Sequence, residues 1–162
     1  MTDNIKDIEF MRAALDEAKK AYAVGEVPVG AVVVYNGNIV ATGYNKREKN
    51  KMATAHAELM AIEDACRTLG GWRLSGCTLY VTLEPCPMCA GAIVNSRLDR
   101  VVYGVKDSAA GCVGSVINFN AYPFNHAFEV TSGVLAEECR EILQEFFSLQ
   151  RQKKRDGKGN EK

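Results

Sequence analysis

The sequence lacks the features that would place the chain in a membrane or on an export route. No apolar run reaches the length of a membrane span, and residues 1–4 do not follow a signal-peptide pattern. Because the six cysteines accompany no export signal, we expect reduced thiols and a cytoplasmic protein. The chain also lacks internal repeats and interdomain linkers, so its 162 residues fit one domain with a sizeable core.

An excess of charge is missing as well. Twenty basic and twenty acidic residues give a formal net charge of zero, and hence no overall attraction to nucleic acid. Residues 151–162 differ, because six basic and two acidic residues give them a charge of +4. We therefore divide the chain into a domain at 1–152 and a basic C-terminal tail at 153–162. Such a tail either contacts phosphates or is simply a solvated terminus.

Two short motifs predict the chemistry of the protein. Residues 56–58 (HAE) and 85–89 (PCPMC) supply one imidazole and two thiols, from His56, Cys86 and Cys89. Zinc binds these groups readily in a tetrahedral arrangement, and three protein ligands leave a fourth position open for water, as catalysis requires. Glu58 is not needed as a ligand and can move a proton of that water. The motifs therefore predict zinc-dependent hydrolytic chemistry.

The local sequence indicates how these groups come together. Pro87 suits the first position of a helix that follows a buried strand at Leu79–Leu83. Cys86 and Cys89 would then lie at a helix N-terminus, where the helix dipole favours thiolates. A second helix opens near His56, with Thr54 as its N-cap. The two helix N-termini can converge on one ion.

Strands that alternate with helices predict an α/β fold, with a five-stranded mixed sheet and helices on both faces. Asn36-Gly37 is a strong hairpin-turn signal, and the segment from Lys106 to about Asn125 is long enough for strands four and five to be parallel. The predicted strands are 29–35, 39–44, 79–83, 101–105 and 126–131. The predicted helices are 7–24, one from His56, one from Cys86, and 136 to about 152. The remaining cysteines are expected to be small core residues, namely Cys66, Cys77, Cys112 and Cys139.

The two motifs match, residue for residue, the H-x-E…P-C-x-x-C signature known for zinc nucleobase deaminases. Other segments match a narrower group: EVPVGA at 26–31, GYN at 43–45, TLEPCPMCAGA at 82–92, VVYG at 101–104, KD at 106–107, NH at 125–126 and FF at 146–147. On these segments the chain resembles the cytidine-deaminase superfamily and, within it, the bacterial tRNA-specific adenosine deaminases. The resemblance covers about residues 5–155.

The resemblance implies a three-layer α/β/α cytidine-deaminase-like fold and hydrolytic deamination of adenosine to inosine at the wobble position (34) of a tRNA. It implies one Zn²⁺ per subunit, with Glu58 as proton shuttle. It also implies a homodimer that binds the anticodon stem-loop with residues of both subunits, and no membrane partner. The substrate-binding residues that it implies are Val29, Asn45, Ala57, Asp107, Asn125, His126, Phe147 and Arg151.

Ordinary structural roles are open for several of these residues. Asn45 could be a turn former, Asp107 a cap, His126 a core histidine and Phe147 the edge of the core. Two other functions are also open. A small-molecule nucleobase deaminase, such as a guanine deaminase, would keep the two motifs. A zinc-stabilised binding module would instead need a fourth ligand, for which Cys112 and His126 are available.

Overall fold

A computed structural model of the chain describes residues 2–159, with side chains for residues 5–157. The helices are α1 (Thr2–Ala23), α2 (Arg47–Asn50), α3 (Ala57–Leu69), α4 (Pro87–Ser96) and α5 (Ala136–Gly159). The strands are β1 (Gly30–Tyr35), β2 (Asn38–Tyr44), β3 (Cys77–Leu83), β4 (Arg100–Val105) and β5 (Glu129–Thr131), and Phe119–Ala121 forms a single 3₁₀ turn. No helix within these residues is long and apolar enough to cross a membrane.

The five strands form one mixed sheet in the order β2-β1-β3-β4-β5. β1 pairs antiparallel with both β2 and β3, whereas β3 with β4 and β4 with β5 are parallel. Asn36 and Gly37 connect β1 to β2 with φ angles of 51° and 78°, as a type I′ hairpin turn requires. The predicted hairpin, the mixed sheet and the parallel pairing of the last two strands are confirmed.

Helices cover both faces of the sheet, which confirms the three-layer arrangement. α1 and α5 contact each other on one face, and α3 and α4 contact each other on the opposite face. Two glycines let the helices lie directly on the strands. A Cβ atom on Gly30 would collide with the backbone of Ala14 in α1, and one on Gly43 would lie 2.5 Å from the carbonyl oxygen of Ala57 in α3. The close approach at Gly43 fixes where α3 begins above the sheet.

Two element boundaries differ from the prediction. The fifth strand is confined to Glu129–Thr131 and does not begin at His126, because the side-chain amide of Asn120 bonds both backbone groups of Phe128, at 2.8 and 3.2 Å. The last helix runs on to Gly159 through a stretch rich in Gln, Lys and Arg, which are good helix formers. The predicted basic tail therefore begins inside α5, and its residues 160–162 lie outside the described part of the chain.

The cysteines outside the two motifs pack largely as predicted. Cys77, Cys112 and Cys139 are buried, with 2% or less of their surface exposed. Cys66 is only half-buried near the surface end of α3, where its thiol faces the carbonyl oxygen of Trp72 at 3.9 Å. Three of the four are therefore core residues.

A buried carboxylate ties α1 to three strands. Arg100 donates to both oxygens of Asp7, at 2.9 and 2.7 Å, and the Tyr80 hydroxyl donates to the same carboxylate at 2.7 Å. Arg100 also donates to Thr131 at 2.9 Å, so the cluster reaches β5. Burial opposes ionisation of Asp7, yet the hydrogen bonds from Arg100 and Tyr80 outweigh it and lower the pKa of Asp7.

Replacement of Asp7 tests this cluster. Asp7→Asn should destabilise the fold by about 3 kcal/mol, because Arg100 loses its charged partner in a largely buried site. The matched control is Asp16→Asn on the same helix, where the pair with Lys19 is exposed and 3.8 Å long, and where the change should stay within about 0.5 kcal/mol. Urea unfolding at neutral pH measures both. Equal losses in the two variants would show that the cluster does not hold α1 in place.

Candidate metal centre and catalytic cleft

The N-terminus of α3 presents His56. This residue is the N-cap, with extended φ and ψ of −81° and 151°. The predicted cap, Thr54, is wrong, because its side chain makes no cap bond and its carbonyl oxygen accepts from the His56 amide at 2.8 Å. Asn45 takes that task from outside the helix, since its Oδ1 accepts from the Ala57 amide at 2.9 Å. The end of β2 therefore locks the first turn of α3.

The N-terminus of α4 presents the two thiols as predicted. Cys86 is the N-cap, in an extended conformation with φ of −76° and ψ of 176°, and Pro87 is the first helical residue. Cys89 follows in the first turn and is fully buried, while Cys86 is half-buried. A strand that ends at Leu83 and a proline that starts the helix thus aim both sulfurs the same way.

The three predicted ligand atoms meet at one point. The Nδ1 atom of His56 lies 3.6 Å from the Sγ atoms of both Cys86 and Cys89, and all three ligand atoms lie within 4.8 Å of one another. A tetrahedral zinc with its usual bond lengths separates an imidazole nitrogen from a thiolate sulfur by about 3.5 Å. The donor set and its spacing therefore fit zinc, which confirms the predicted cofactor.

Neither proposed fourth ligand reaches this point. The Cys112 thiol faces the carbonyl oxygen of Ala110 at 3.4 Å, and the ring Nε2 atom of His126 lies 2.7 Å from the carbonyl oxygen of Leu98. Within the described residues, no further His, Cys, Asp or Glu joins the group of three. The arrangement is that of an open site rather than a closed structural one.

The pKa values of Cys86 and Glu58 at the centre are shifted in opposite directions. A hydrogen bond from Cys89, helped by the neighbouring His56, lowers the pKa of Cys86 to about 4. Cys86 is therefore ready to bind a metal as the thiolate. Glu58 is 4% exposed, and burial raises the pKa of its carboxyl group. A carboxyl group whose pKa is raised takes up a proton more readily than one in water.

A cleft of about 360 Å³ leads to the metal centre. Four of the residues that the resemblance implied for substrate line it, namely Val29, Asn45, Asp107 and Phe147. It is also lined by residues not predicted, namely Val27, Arg47, Leu83, Glu84 and Ala110. Ala57 is buried directly behind Asn45, and Arg151 lines an adjoining groove of about 470 Å³. The structure thus gathers most of the predicted substrate-binding residues on one side of the molecule.

Asn125 and His126 are not brought to this cleft. The His126 ring bonds the carbonyl oxygen of Leu98, which precedes β4. The cleft instead lies beyond the carboxyl ends of β3 and β4, near Leu83. Since β3 and β4 are parallel, these two places are at opposite ends of the strands. Asn125 is exposed beside His126.

Glu84 is a positioning residue that the sequence did not reveal. Its carboxylate is 2% exposed and accepts backbone amides of Asp107, Val113 and Ser115 at 3.0–3.1 Å, as well as the Ser115 hydroxyl. Burial opposes ionisation of Glu84, but these donors outweigh it and lower the pKa. The signal available in the sequence was an acidic residue between a predicted buried strand and the PCPMC motif. Its hydrogen-bond partners, however, lie 23–31 residues further along the chain.

The loop that Glu84 holds also carries Asp107. The Oδ1 atom of Asp107 accepts the amides of Ala109 and Ala110, at 3.0 and 3.2 Å. Asp107 is therefore a cap, as its ordinary structural role predicted, and it lines the cleft as well. The same side chain thus both shapes the loop and lines the cleft.

Comparisons with known proteins agree with this geometry. Residues 4–105 match the family model of the cytidine and deoxycytidylate deaminase zinc-binding region. A tRNA-specific adenosine deaminase of Bacillus subtilis (strain 168) is 52% identical over 156 residues, which cover 96% of this chain and 97% of that protein.

Two solved structures extend the comparison. One, from a study of A-to-I editing by tRNA:A34 deaminases at the wobble position, has a TM-score of 0.81 and 46% identity, and the match covers 83% of this chain and 99% of that one. A guanine deaminase of Bacillus subtilis has a TM-score of 0.58 and 33% identity, and the match covers 68% of this chain and 82% of that one. The second likeness is weaker by each of these measures.

Metal analysis tests the three-ligand centre. Cys86→Ala should lose both zinc and activity, because two ligands hold the ion too weakly. Cys112→Ala is the matched control, since it removes a buried thiol nearby and should cost only packing, about 1 kcal/mol. Zinc content per chain, measured after dialysis, distinguishes them. A Cys112→Ala protein without zinc would mean that four protein ligands close the site.

Proposed function

The chain belongs to the cytidine and deoxycytidylate deaminase family, and from that premise we propose that it is a zinc-dependent hydrolase that converts adenosine 34 of tRNA to inosine. One observation carries the proposal. The buried carboxylate of Glu58 shares a cleft with the metal ligands, in a chain that matches a tRNA-specific adenosine deaminase over 96% of its length.

The residues of the centre divide the chemical work. His56, Cys86 and Cys89 would hold Zn²⁺, which when bound supplies the Lewis acidity that makes water a nucleophile at neutral pH. Glu58 accepts a proton from the attacking water and delivers it to the amino nitrogen at C6 of adenine. That nitrogen leaves as ammonia, oxygen takes its place, and the product is inosine. The raised pKa of Glu58 lets it carry the proton from one step to the next.

Asn45 is suited to recognise the base. Its side-chain carbonyl is already bound to the Ala57 amide, so its amide NH₂ is the group left for the substrate. That NH₂ can donate to a ring nitrogen of a purine. Val27, Val29 and Leu83 line the same cleft and offer apolar surface to the faces of the base.

Phe147 and Arg151 are suited to hold the RNA around the flipped nucleotide. Phe147 is 44% exposed at the cleft, where a base can stack on its ring, a contact worth about 1–3 kcal/mol. Arg151 lies one helical turn further along α5 in the adjoining groove and can bind a phosphate. Asp107 lines both the cleft and that groove, and we assign to its carboxylate a hydrogen bond from a ribose hydroxyl.

The position of Asn125 and His126 supports a homodimer. They lie at the end of the strands away from the cleft of their own chain. If these two residues contact the anticodon loop, they must therefore do so at the cleft of a second subunit. Tyr122 and Phe124, directly before them, are 51% and 50% exposed, and their rings lie 6.1 Å apart between centroids, tilted by 41°. Large exposed aromatic groups in one place are typical of an interface. We place this dimer, with its tRNA substrate, in the cytoplasm.

A small-molecule nucleobase deaminase, such as a guanine deaminase, is the second candidate function. The likeness of 33% identity to a guanine deaminase favours it. That function would use the centre and the cleft but has no need of the exposed Phe147 or of the cations on α5. The choice between the two rests on substrate rather than on chemistry.

The proposed function is tested by product analysis. The full chain with zinc should convert the wobble adenosine of an anticodon stem-loop RNA to inosine and release ammonia, and should leave free guanine unchanged. A stem-loop with adenosine at a different loop position is the control RNA and should react far more slowly. Rapid release of ammonia from guanine, with no reaction of the stem-loop, would replace the tRNA proposal with the small-molecule one.

The role of Glu58 has its own test. Glu58→Gln should keep its zinc, because glutamine has a similar shape, but should lose turnover because it cannot take up the proton. The loss should exceed the roughly 10²–10⁴-fold that general acid–base catalysis typically contributes. Glu63→Gln is the control on the same helix, where the side chain is exposed, and it should retain full activity. If Glu58→Gln instead loses zinc in proportion to activity, Glu58 is part of the metal centre.

A further inference from the structure

One face of α5 carries a row of four side chains, of which only two have a role in the contacts proposed above. Arg140, Gln144, Phe147 and Arg151 are spaced by four, three and four residues, which places them on one side of the helix. All four line the groove of about 470 Å³ that adjoins the cleft. Arg140 lies seven residues before Phe147, which is about 10 Å along the helix axis.

Lys106 and Arg140 line the same part of the surface, since they share two neighbouring grooves. Lys106 follows β4 and lines the groove together with Arg140, and the two also line a smaller groove of about 240 Å³ on their other side. Both side chains are exposed. No salt bridge within the described part of the chain involves Lys106, Arg140 or Arg151. Neither Lys106 nor Arg140 therefore has a salt-bridge partner among the described residues.

The groove as a whole favours an anion. Its lining includes three cations, and Asp107 is the single acid among the lining residues. The Asp107 carboxylate is bound to the amides of Ala109 and Ala110. The charge of Asp107 is therefore partly satisfied by the loop, while the charges of Lys106 and Arg140 face solvent.

We propose that Lys106 and Arg140 form a site for a backbone phosphate of the RNA, separate from the contacts at the flipped nucleotide. The inference rests on the proposed tRNA function and adds to it a positioning contact about 10 Å from Phe147 along α5. The guanidinium of Arg140 can bind a phosphate with two parallel hydrogen bonds, and Lys106 adds a point charge. A phosphate held there fixes the register of the strand, and so which nucleotide of the loop reaches the cleft.

A salt series on RNA binding tests the site. With the full chain and an anticodon stem-loop RNA, Arg140→Gln should bind about five-fold more weakly at 0.1 M salt. The slope of log K against log salt should become shallower by about 0.7, as the loss of one phosphate contact to a single strand predicts. Arg67→Gln makes the same charge change at the far end of α3 from His56 and should alter neither value. Thermal unfolding and zinc content should match those of the unmodified chain in both variants.

Neutral phosphates identify the contact directly. Replacing single loop phosphates by methylphosphonate should weaken binding to the unmodified chain at several positions. At one position the replacement should weaken binding less in Arg140→Gln and in Lys106→Gln than in the unmodified chain, because each variant has already lost one of the two cations that hold this phosphate. Arg67→Gln should respond like the unmodified chain at every position.

The possible failures separate the two proposals. If the unmodified chain binds and deaminates the stem-loop while Arg140→Gln keeps the same affinity and salt slope, the phosphate site is wrong and the tRNA function stands. The absence of any coupled phosphate position would overturn the site in the same way. If the unmodified chain binds no stem-loop even at low salt, the proposed function and this site both fail.

Discussion

The metal centre depends on two helices that begin side by side at one edge of the sheet. α3 can begin there because Gly43 has no side chain to hold it off β2, and Asn45 then caps its first turn. α4 begins there because β3 ends at Leu83 and Pro87 starts a helix four residues later. Metal–ligand bonds tolerate errors of only about 0.2 Å, so small shifts of either helix would separate the imidazole from the thiols. The sheet is thus the part of the fold that sets the spacing of the donor atoms.

Three buried carboxyl groups have different roles in this protein because their surroundings differ. Asp7 and Glu84 are each surrounded by hydrogen-bond donors, which hold the pKa low and fix the charge. Asp7 uses that charge to bind α1 to the sheet, and Glu84 uses it to order the loop that carries Asp107. Glu58 is as deeply buried, but burial outweighs the groups that favour its charge, and its pKa is raised. It is the carboxylate of the three that can exchange a proton with a substrate.

The parts of the protein that could be predicted from sequence are those that local spacing determines. The motifs at 56–58 and 85–89 predicted the metal ligands and the helix starts. Each motif is a short run of consecutive residues, so the ligands and their spacing can be read directly from the sequence. The Asn36-Gly37 hairpin was predictable for the same reason, whereas the parallel final strands were predictable from the length of the segment that connects them. The end of α5 was missed because residues 153–159 have helix propensity but no apolar stripe to mark them.

Contacts between distant segments were beyond reach of that reasoning. Asn45 replaces Thr54 as the cap only because Gly43 brings β2 against α3. Glu84 owes its role to a loop some 23–31 residues downstream that has no periodic pattern. The fifth strand is short because a side chain of Asn120 replaces its first ladder partner. Lys106 and Arg140 likewise line one groove only because β4 and α5 pack against each other.

The two sides of α5 have a consequence for how such a protein can change. Its inner side packs through Cys139, Leu143 and Phe146, all buried, whereas its outer side carries Arg140, Phe147 and Arg151. None of the outer residues holds the metal or the proton. Substitutions on this outer row can therefore change the surface of the groove while the metal ligands and Glu58 stay as they are. The outer surface of α5 and the metal centre thus reside on separate structural elements, so substitutions can accumulate on the first without altering the second.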